Sequence, residues 1–85
     1  MIEQQVIVSV PAGIHAKSAA ELTKITRKFE SDIYIKSDRK MINAKSVLSL
    51  VGAIIKEGDE VTISCDGKDE SDALRAVINF FIKKS

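Results

Sequence analysis

Residues 60–83 have the sequence EVTISCDGKDESDALRAVINFFIK, which contains a strand, a turn and a helix in one short run. Over 60–65, apolar residues alternate with polar ones, which predicts a strand with one buried face. Asp66-Gly67 ends that strand, and Asp69 is expected to cap a helix over 70–83. The helix has one apolar face, which is typical of a helix packed on a sheet and consists of Ala73, Leu74, Val77, Ile78 and Phe81.

The same two patterns recur upstream. Further strands are predicted over 5–10, 32–37 and 40–43, and further helices over 18–29 and 46–54. This order predicts an α+β open-faced sandwich, in which a four-stranded antiparallel sheet is covered on one face by three helices. We expect residues 1–85 to form a single domain of this kind. Because the architecture hosts many activities, the function has to be argued from a site.

Composition narrows the class of protein. A hydrophobic content of 45% and a charged content of 29% are typical of a globular domain. The 13 Lys and Arg nearly balance the 12 Asp and Glu, which argues against nucleic-acid binding through bulk charge. The only cysteine, Cys65, is expected to be buried and inert, and no Cys/His cluster has metal-ligand spacing. The N-terminal sequence has neither a basic segment nor a long apolar run, which predicts a cytoplasmic protein without membrane insertion.

The only histidine, His15, lies in the segment PAGIHAKSA at 11–19, just before the first predicted helix. One interpretation is a solvated or half-buried imidazole that caps a turn. The other is a reactive group: a helix N-terminus favours an anion, Lys17 adds a cation, and an unprotonated imidazole nitrogen is a nucleophile near neutral pH. His15 is therefore a candidate phosphohistidine. Ser18 and Glu21 form a capping-box pattern, which would start the helix after Ser18.

The sequence offers little support for an autonomous enzyme. Paired carboxylates, a Ser-His-Asp order and a Gly-rich phosphate loop are all missing from the sequence. An acylphosphatase-like enzyme has a related topology, but it would need a phosphate-binding arginine and a water-positioning asparagine in the first loop. The first loop, PAGIH at 11–15, contains neither residue. A carrier or regulatory protein without a cofactor is the better interpretation.

Three stretches resemble the HPr family, the histidine-containing phosphocarriers of the bacterial sugar phosphotransferase system: GIHAKSAAEL at 13–22, NAKSVLSLVG at 43–52 and EVTISCDGKDESDAL at 60–74. The resemblance extends over the whole chain. It implies that His15 carries a phosphoryl group on Nδ1. It also implies that enzyme I supplies this group, that enzyme IIA domains of sugar permeases accept it, and that the chain is a monomer.

Ser46 lies in the NAKS part of the second stretch. From the residues alone it is the N-cap of a short helix. The resemblance implies a second role, as the serine that an ATP-dependent HPr kinase/phosphorylase modifies. The phosphorylated form of such a protein acts as a corepressor for a catabolite-control transcription factor. The two roles are compatible, because the helix dipole that favours the cap also favours a phosphate.

One departure from the family pattern follows the histidine directly. The family usually has His-x-Arg-Pro, whereas this chain has His15-Ala16-Lys17-Ser18. Lysine offers a point charge in place of a planar fork, and Ser18 lacks the preset φ that proline brings to a first helical turn. An alternative is therefore an HPr-like regulatory paralogue that acts mainly through phosphorylated Ser46 in carbon catabolite control, with weak transfer at His15. The family's catabolite-repression paralogue lacks the histidine, which this chain keeps.

We also expect a partner-docking surface beside His15. In the helix over 46–54, Leu50 and Ile54 are predicted to face the core, which leaves three apolar residues partly exposed: Val47, Leu48 and Val51. A basic rim would steer an acidic partner face, and its candidate residues are Lys17, Lys24, Arg27, Lys28 and Lys45. The alternatives are a well-buried helix and a solvated helix face whose cations lie favourably towards its C-terminus.

Overall fold

The computed structural model describes residues 1–82 of the chain. Its elements are β1 (Ile2–Ile7), α1 (Ala16–Thr26), β2 (Asp32–Ser37), β3 (Lys40–Asn43), α2 (Val47–Gly52), β4 (Glu60–Asp66) and α3 (Glu70–Ile82). The order and number of elements confirm the predicted α+β open-faced sandwich. Residue 83, the last residue of the predicted third helix, lies outside the described residues.

The four strands form one sheet in the order β1-β4-β2-β3, so β4 lies between β1 and β2 and pairs antiparallel with both. The predicted buried face of β4 is confirmed, because Val61, Ile63 and Cys65 are all buried, but the strict alternation is not, because Ser64 on the other face is buried as well. Burial raises the pKa of the Cys65 thiol to about 11, so the thiol stays protonated at neutral pH and is a poor nucleophile. Cys65 therefore serves as a small core residue.

The helices cover one face of the sheet and enclose a single apolar core. α3 contacts β1 and β4, and α1 contacts both α2 and α3. The largest fully buried apolar side chains come from all these layers and include Leu22, Ile33, Ile35, Leu50, Ile63, Val77 and Phe81. Among residues 1–82, no helix combines the length and the apolar character needed to cross a membrane.

The first strand begins and ends three residues earlier than predicted. Val8 is as buried as a strand residue, which is why the alternating pattern extends past Ile7. Its N–H, however, donates to the carbonyl of Asp59 at 2.8 Å, and the N–H of Ser9 donates to the carbonyl of Phe81 at 2.8 Å. Val8 thus bonds to the residue just before β4, and the chain turns away from the sheet at Ser9. Burial continues past Ile7, the last residue of β1.

The other differences from the predicted elements lie at the ends of helices. α1 ends at Thr26 because Lys28 and Phe29 bond to carbonyls three residues back, which tightens the chain into a turn. Phe29 still packs against the core. Its apolar side chain fits the helical pattern, and for this reason the sequence predicts that the helix ends at residue 29. α2 covers 47–52 instead of 46–54, with Ser46 as its N-cap and Ala53 as its C-cap.

Asp69 joins the start of α3 to the turn before β2. Its carboxylate accepts hydrogen bonds from the Ser31 hydroxyl, from the Ser31 N–H at 3.0 Å and from the Glu30 N–H at 2.9 Å. These donors, the Ser31 hydroxyl above all, lower the pKa of Asp69 from its ordinary 3.8 to about 2. Its predicted place just before α3 is confirmed, since its carbonyl accepts from the Ala73 N–H at 3.0 Å.

We expect Asp69→Asn to destabilise the fold at pH 7 and to change how its stability depends on pH. A carboxyl whose pKa is lowered on folding stabilises the folded state above its ordinary pKa, and that contribution is lost as the pH falls from about 3.8 towards about 2. The urea midpoints of the wild type and the variant should therefore differ at pH 7 and converge below pH 3. A gap that stays constant from pH 7 to pH 2 would contradict the assignment.

Candidate functional site

The loop between β1 and α1 places the histidine, and its backbone is left-handed at two consecutive residues. Ala12 has φ 63° and Gly13 has φ 76°. Two contacts with the segment after α2 hold this loop: the Ile14 N–H donates to the Ile55 carbonyl at 2.9 Å, and the Ala12 N–H donates to Glu57 Oε1 at 3.2 Å. Ile14 is itself buried, so the residue before His15 is anchored in the core.

Gly13 is required at this position for two separate reasons. Its positive φ disfavours any residue that carries a Cβ. In addition, a Cβ at Gly13 would overlap the Ile55 carbonyl oxygen and lie 2.8 Å from the Cα of Lys56, both of them backbone atoms that have little room to move. The close approach of these two backbones is what positions the histidine loop.

His15 is the N-cap of α1, and its side chain is exposed. Its backbone is extended, with φ −113° and ψ −177°, and its carbonyl accepts the first helical hydrogen bond from the Ala19 N–H at 2.8 Å. The N–H groups of residues 16–18 precede that first bond and lie at the positive end of the helix dipole. Because the first turn of α1 contains no acidic side chain, this end can attract an external anion.

The predicted helix start at Ser18 is wrong, because α1 begins at Ala16 and Ser18 is its third residue. The Ser18 hydroxyl instead faces back: it accepts from the His15 N–H at 2.8 Å and lies 3.1 Å from the His15 carbonyl oxygen, to which it can donate. Ser18 thus reinforces the turn at the histidine. Glu21 has no part in this cap, since the capping contact joins Ser18 to His15.

The predicted basic residues differ in their distance from His15 and in their contacts. Lys17 is exposed in the first turn of α1, next to His15. Lys24 and Arg27 are also exposed. Along the helix axis they lie roughly 14 and 18 Å from His15, at 1.5 Å per residue, so they cannot contact a group on the imidazole. Lys45 has a structural task, because its Nζ donates to the Phe29 carbonyl at 2.7 Å, while Arg27 Nε donates to the Lys45 carbonyl at 3.2 Å.

Ser46 caps α2, as the sequence predicts. Its Oγ accepts from the Ser49 N–H at 3.2 Å, and its carbonyl accepts from the Leu50 N–H at 3.1 Å. The serine is half-buried. α2 packs against α1, so Ser46 and His15 belong to two neighbouring helices.

The apolar side chains of α2 divide largely as expected. Leu50 is buried, Val47 is half-buried against the core, Val51 is exposed, and Leu48 is the most exposed of them at 87%. The prediction that Ile54 faces the core is wrong: its side chain is 68% exposed. The chain turns at Ile54, where φ is 53°, and the next residue, Ile55, enters the core instead.

Sequence patterns did not reveal three residues of this site: Ala12, Ile54 and Glu57. Ala12 and Ile54 adopt a conformation that their residue types disfavour, so local preference points away from the observed structure. Glu57 contacts the loop across a separation of 45 residues. The sequence signal for this site was the Pro11-x-Gly13 turn. It indicates a loop, but it does not indicate which segment the loop contacts.

Fold and site together define a small open-faced α+β sandwich that presents one exposed histidine at the N-terminus of its first helix. A family model matches residues 2–83, and its description is the phosphorylation site of the HPr component of the phosphotransferase system. The chain therefore belongs to the HPr family.

The similar proteins include both the phosphocarrier HPr and the HPr-like protein Crh. The chain is 37% identical over 84 residues to the HPr-like protein Crh of Halalkalibacterium halodurans, an alignment that covers 99% of this chain and 100% of the relative. The crystal structure of the phosphocarrier protein HPr from Bacillus anthracis is 32% identical, with a TM-score of 0.90, and covers 94% of this chain and 95% of that one. The crystal structure of Bacillus subtilis Crh, described as a domain-swapped dimer, is 32% identical, with a TM-score of 0.81, and covers 100% and 98%.

Two glycine substitutions should separate the close approach at Gly13 from a general effect of adding a methyl group. We expect Gly13→Ala to lower the free energy of unfolding by roughly 2–5 kcal/mol, the sum of left-handed strain and a backbone overlap. Gly52 is the matched control, because it lies in α2 with open space around its Cα. Gly52→Ala should stabilise the protein by about 0.5–1 kcal/mol. Urea denaturation measures both, and equal effects would contradict the contact.

Proposed function

We propose that this protein is a phosphocarrier that receives a phosphoryl group from enzyme I on His15 and passes it to enzyme IIA domains of sugar permeases. The observation that carries the proposal is the exposed imidazole at the N-cap of α1, beside the N–H groups of the first helical turn. In the transfer, a lone pair of the imidazole nitrogen, Nδ1 by family resemblance, forms a bond to phosphorus while the bond to the donor breaks. The reverse exchange delivers the group to the acceptor.

In this proposal the surroundings of His15 stabilise the phosphoryl group and leave each transfer to partner enzymes. The dianionic group would meet the positive end of α1 and the Lys17 ammonium. Lys17 neutralises charge without the bidentate geometry of an arginine, so it holds the group less rigidly. Partner enzymes complete each transfer, and the protein itself acts as a relay that needs no cofactor.

Ser46 is the proposed regulatory site. An HPr kinase/phosphorylase would phosphorylate its hydroxyl, and the product would bind a catabolite-control transcription factor. A phosphate adds about −1.5 to −2 charges at the N-terminus of α2, next to the exposed Leu48. The added charge would oppose an acidic or apolar partner face, so the same modification would slow docking of enzyme I.

A second candidate function is that of a regulatory paralogue acting mainly through Ser46, with weak transfer at His15. The similarity to Crh of H. halodurans and the Lys17-Ser18 pair favour it. The retained and exposed His15 favours the phosphocarrier. In either role we propose a cytoplasmic monomer that binds its partners through α1 and α2, without direct contact to nucleic acid or insertion into a membrane.

Phosphorylation of His15 is the first test. Incubation with enzyme I and phosphoenolpyruvate should label the chain with a phosphoamidate that is labile to acid and stable to base. His15→Ala should abolish the label, and His15→Gln should serve as a second, polar control for folding. Label that persists in His15→Ala would refute the assignment, and an unlabelled wild type would favour the regulatory paralogue.

Ser46 is tested separately with a Gram-positive HPr kinase and ATP. We expect the wild type to be labelled and Ser46→Ala to remain unlabelled, with Ser49→Ala as the control, since Ser49 is an exposed serine of the same helix. Ser46→Asp should reduce the rate of phosphotransfer from enzyme I at least several-fold through charge repulsion. Unchanged kinetics in Ser46→Asp would remove the gating role and leave the modification itself in place.

A further inference from the structure

The Ser18 hydroxyl contacts three backbone groups of the histidine loop. It accepts from the His15 N–H at 2.8 Å, and it lies 3.1 Å from the His15 carbonyl oxygen and 3.3 Å from the Gly13 carbonyl oxygen. A hydroxyl has a single proton to donate, so the two carbonyl oxygens compete for it. Both distances are long for a hydroxyl donor, whose usual range ends at about 3.0 Å. The proton of Ser18 is therefore held weakly, although the accepting side of its oxygen is well engaged.

The carbonyl groups depend little on this proton. The His15 carbonyl also accepts from the Ala19 N–H at 2.8 Å, so it keeps a partner when the Ser18 proton turns elsewhere. The Gly13 carbonyl would lose only the longer of the two contacts. A stronger acceptor near the hydroxyl can therefore take the proton at a small cost to the loop.

The imidazole of His15 lies beside this hydroxyl. His15 and Ser18 form a reciprocal capping box, in which the Ser18 N–H faces the His15 side chain and the Ser18 hydroxyl faces the His15 N–H. The ring nitrogen Nδ1 is joined to that backbone nitrogen only through Cα, Cβ and Cγ, so a group bound to Nδ1 stays close to the same helical turn. The His15 side chain is exposed and Ser18 is half-buried, which leaves room for such a group on the solvent side.

A phosphoryl group on His15 needs more donors than Lys17 supplies. Its oxygens are strong acceptors, whereas the Lys17 ammonium provides a point charge without the bidentate geometry of an arginine. Lys24 and Arg27 are too far along the helix to contribute. Hydrogen bonds to an ionised acceptor are roughly twice as strong as those between neutral groups. A phosphoryl oxygen should therefore win the Ser18 proton from the two carbonyl oxygens.

We infer that Ser18 is a hydrogen-bond donor to the phosphoryl group: its proton points to a backbone carbonyl while His15 is unmodified and to a phosphoryl oxygen once His15 is phosphorylated. The inference rests on the proposed phosphocarrier function. It gives a role to a residue by which this chain departs from the usual His-x-Arg-Pro. The proton stays on Oγ throughout, and the N–P bond forms as the bond from phosphorus to the donor breaks. The His15 N–H remains bonded to Oγ in both states, so the start of α1 is unchanged.

Competition between two chains for one phosphoryl group tests this role. The wild type and Ser18→Ala are mixed in equal amounts with catalytic enzyme I and less phosphoenolpyruvate than protein. Enzyme I exchanges the group between the chains until equilibrium is reached. Intact mass, measured at neutral pH to preserve the phosphoamidate, then gives the phosphorylated fraction of each chain. Docking rates and affinities for enzyme I cancel in this equilibrium, which depends only on how stably each chain holds the group.

We expect the exchange equilibrium to favour the wild type over Ser18→Ala roughly tenfold, as for one hydrogen bond to an ionised group at an exposed site. Ser18→Thr keeps the hydroxyl and should share the group evenly with the wild type. Ser49→Ala is the matched control, because Ser49 is the third residue of α2 as Ser18 is of α1, and it should also share evenly. Alanine is a strong helix former, so Ser18→Ala should remain folded, which thermal unfolding checks.

Three results would overturn the inference, and they differ from a failure of the proposed function. An even distribution between the wild type and Ser18→Ala refutes the donor role while the label at His15 still supports the phosphocarrier. An equal deficit in Ser18→Thr refutes the hydroxyl as the cause, and an equal deficit in Ser49→Ala shows an effect that is not specific to the site. A wild type that enzyme I does not label refutes both the donor role and the phosphocarrier function.

Discussion

The contact between the histidine loop and the segment after α2 is the constraint on which the site depends. Gly13 brings one backbone against the other, and the Ile14 N–H then reaches the Ile55 carbonyl. Buried backbone groups need partners, and here each loop supplies the partner of the other. The positions of His15 and of the segment after α2 are therefore linked by this contact.

Backbone strain near this contact has a cost in stability that the core offsets. Ala12 and Ile54 are both left-handed, and strain of this kind costs on the order of 1–3 kcal/mol per residue. Full burial of a large apolar side chain such as Leu22, Ile63 or Phe81 contributes roughly 1.5–3 kcal/mol. A few such core residues are enough to compensate two strained positions.

The short helix α2 connects the two proposed modification sites. Ser46 caps its N-terminus, Leu48 is exposed along it, and the segment after its C-terminus holds the histidine loop. A phosphate at Ser46 and a protein bound over Leu48 would compete for the same surface, one through charge and the other through burial of apolar area. The proposed carrier and regulatory roles would thus use one surface, and the HPr family includes relatives described as a phosphocarrier and as the HPr-like protein Crh.

The order of elements, the buried faces of the strands, the Ser46 cap and the place of His15 before the first helix could all be predicted from the sequence. Such features depend on residues a few positions apart, whose periodicity and capping preferences are local. The start of α1 at Ala16, the bond from Lys45 to Phe29, and the exposure of Ile54 could not be predicted in this way. Tertiary structure decided them, because a contact such as that of Ala12 with Glu57 joins residues 45 positions apart and overrides local preference.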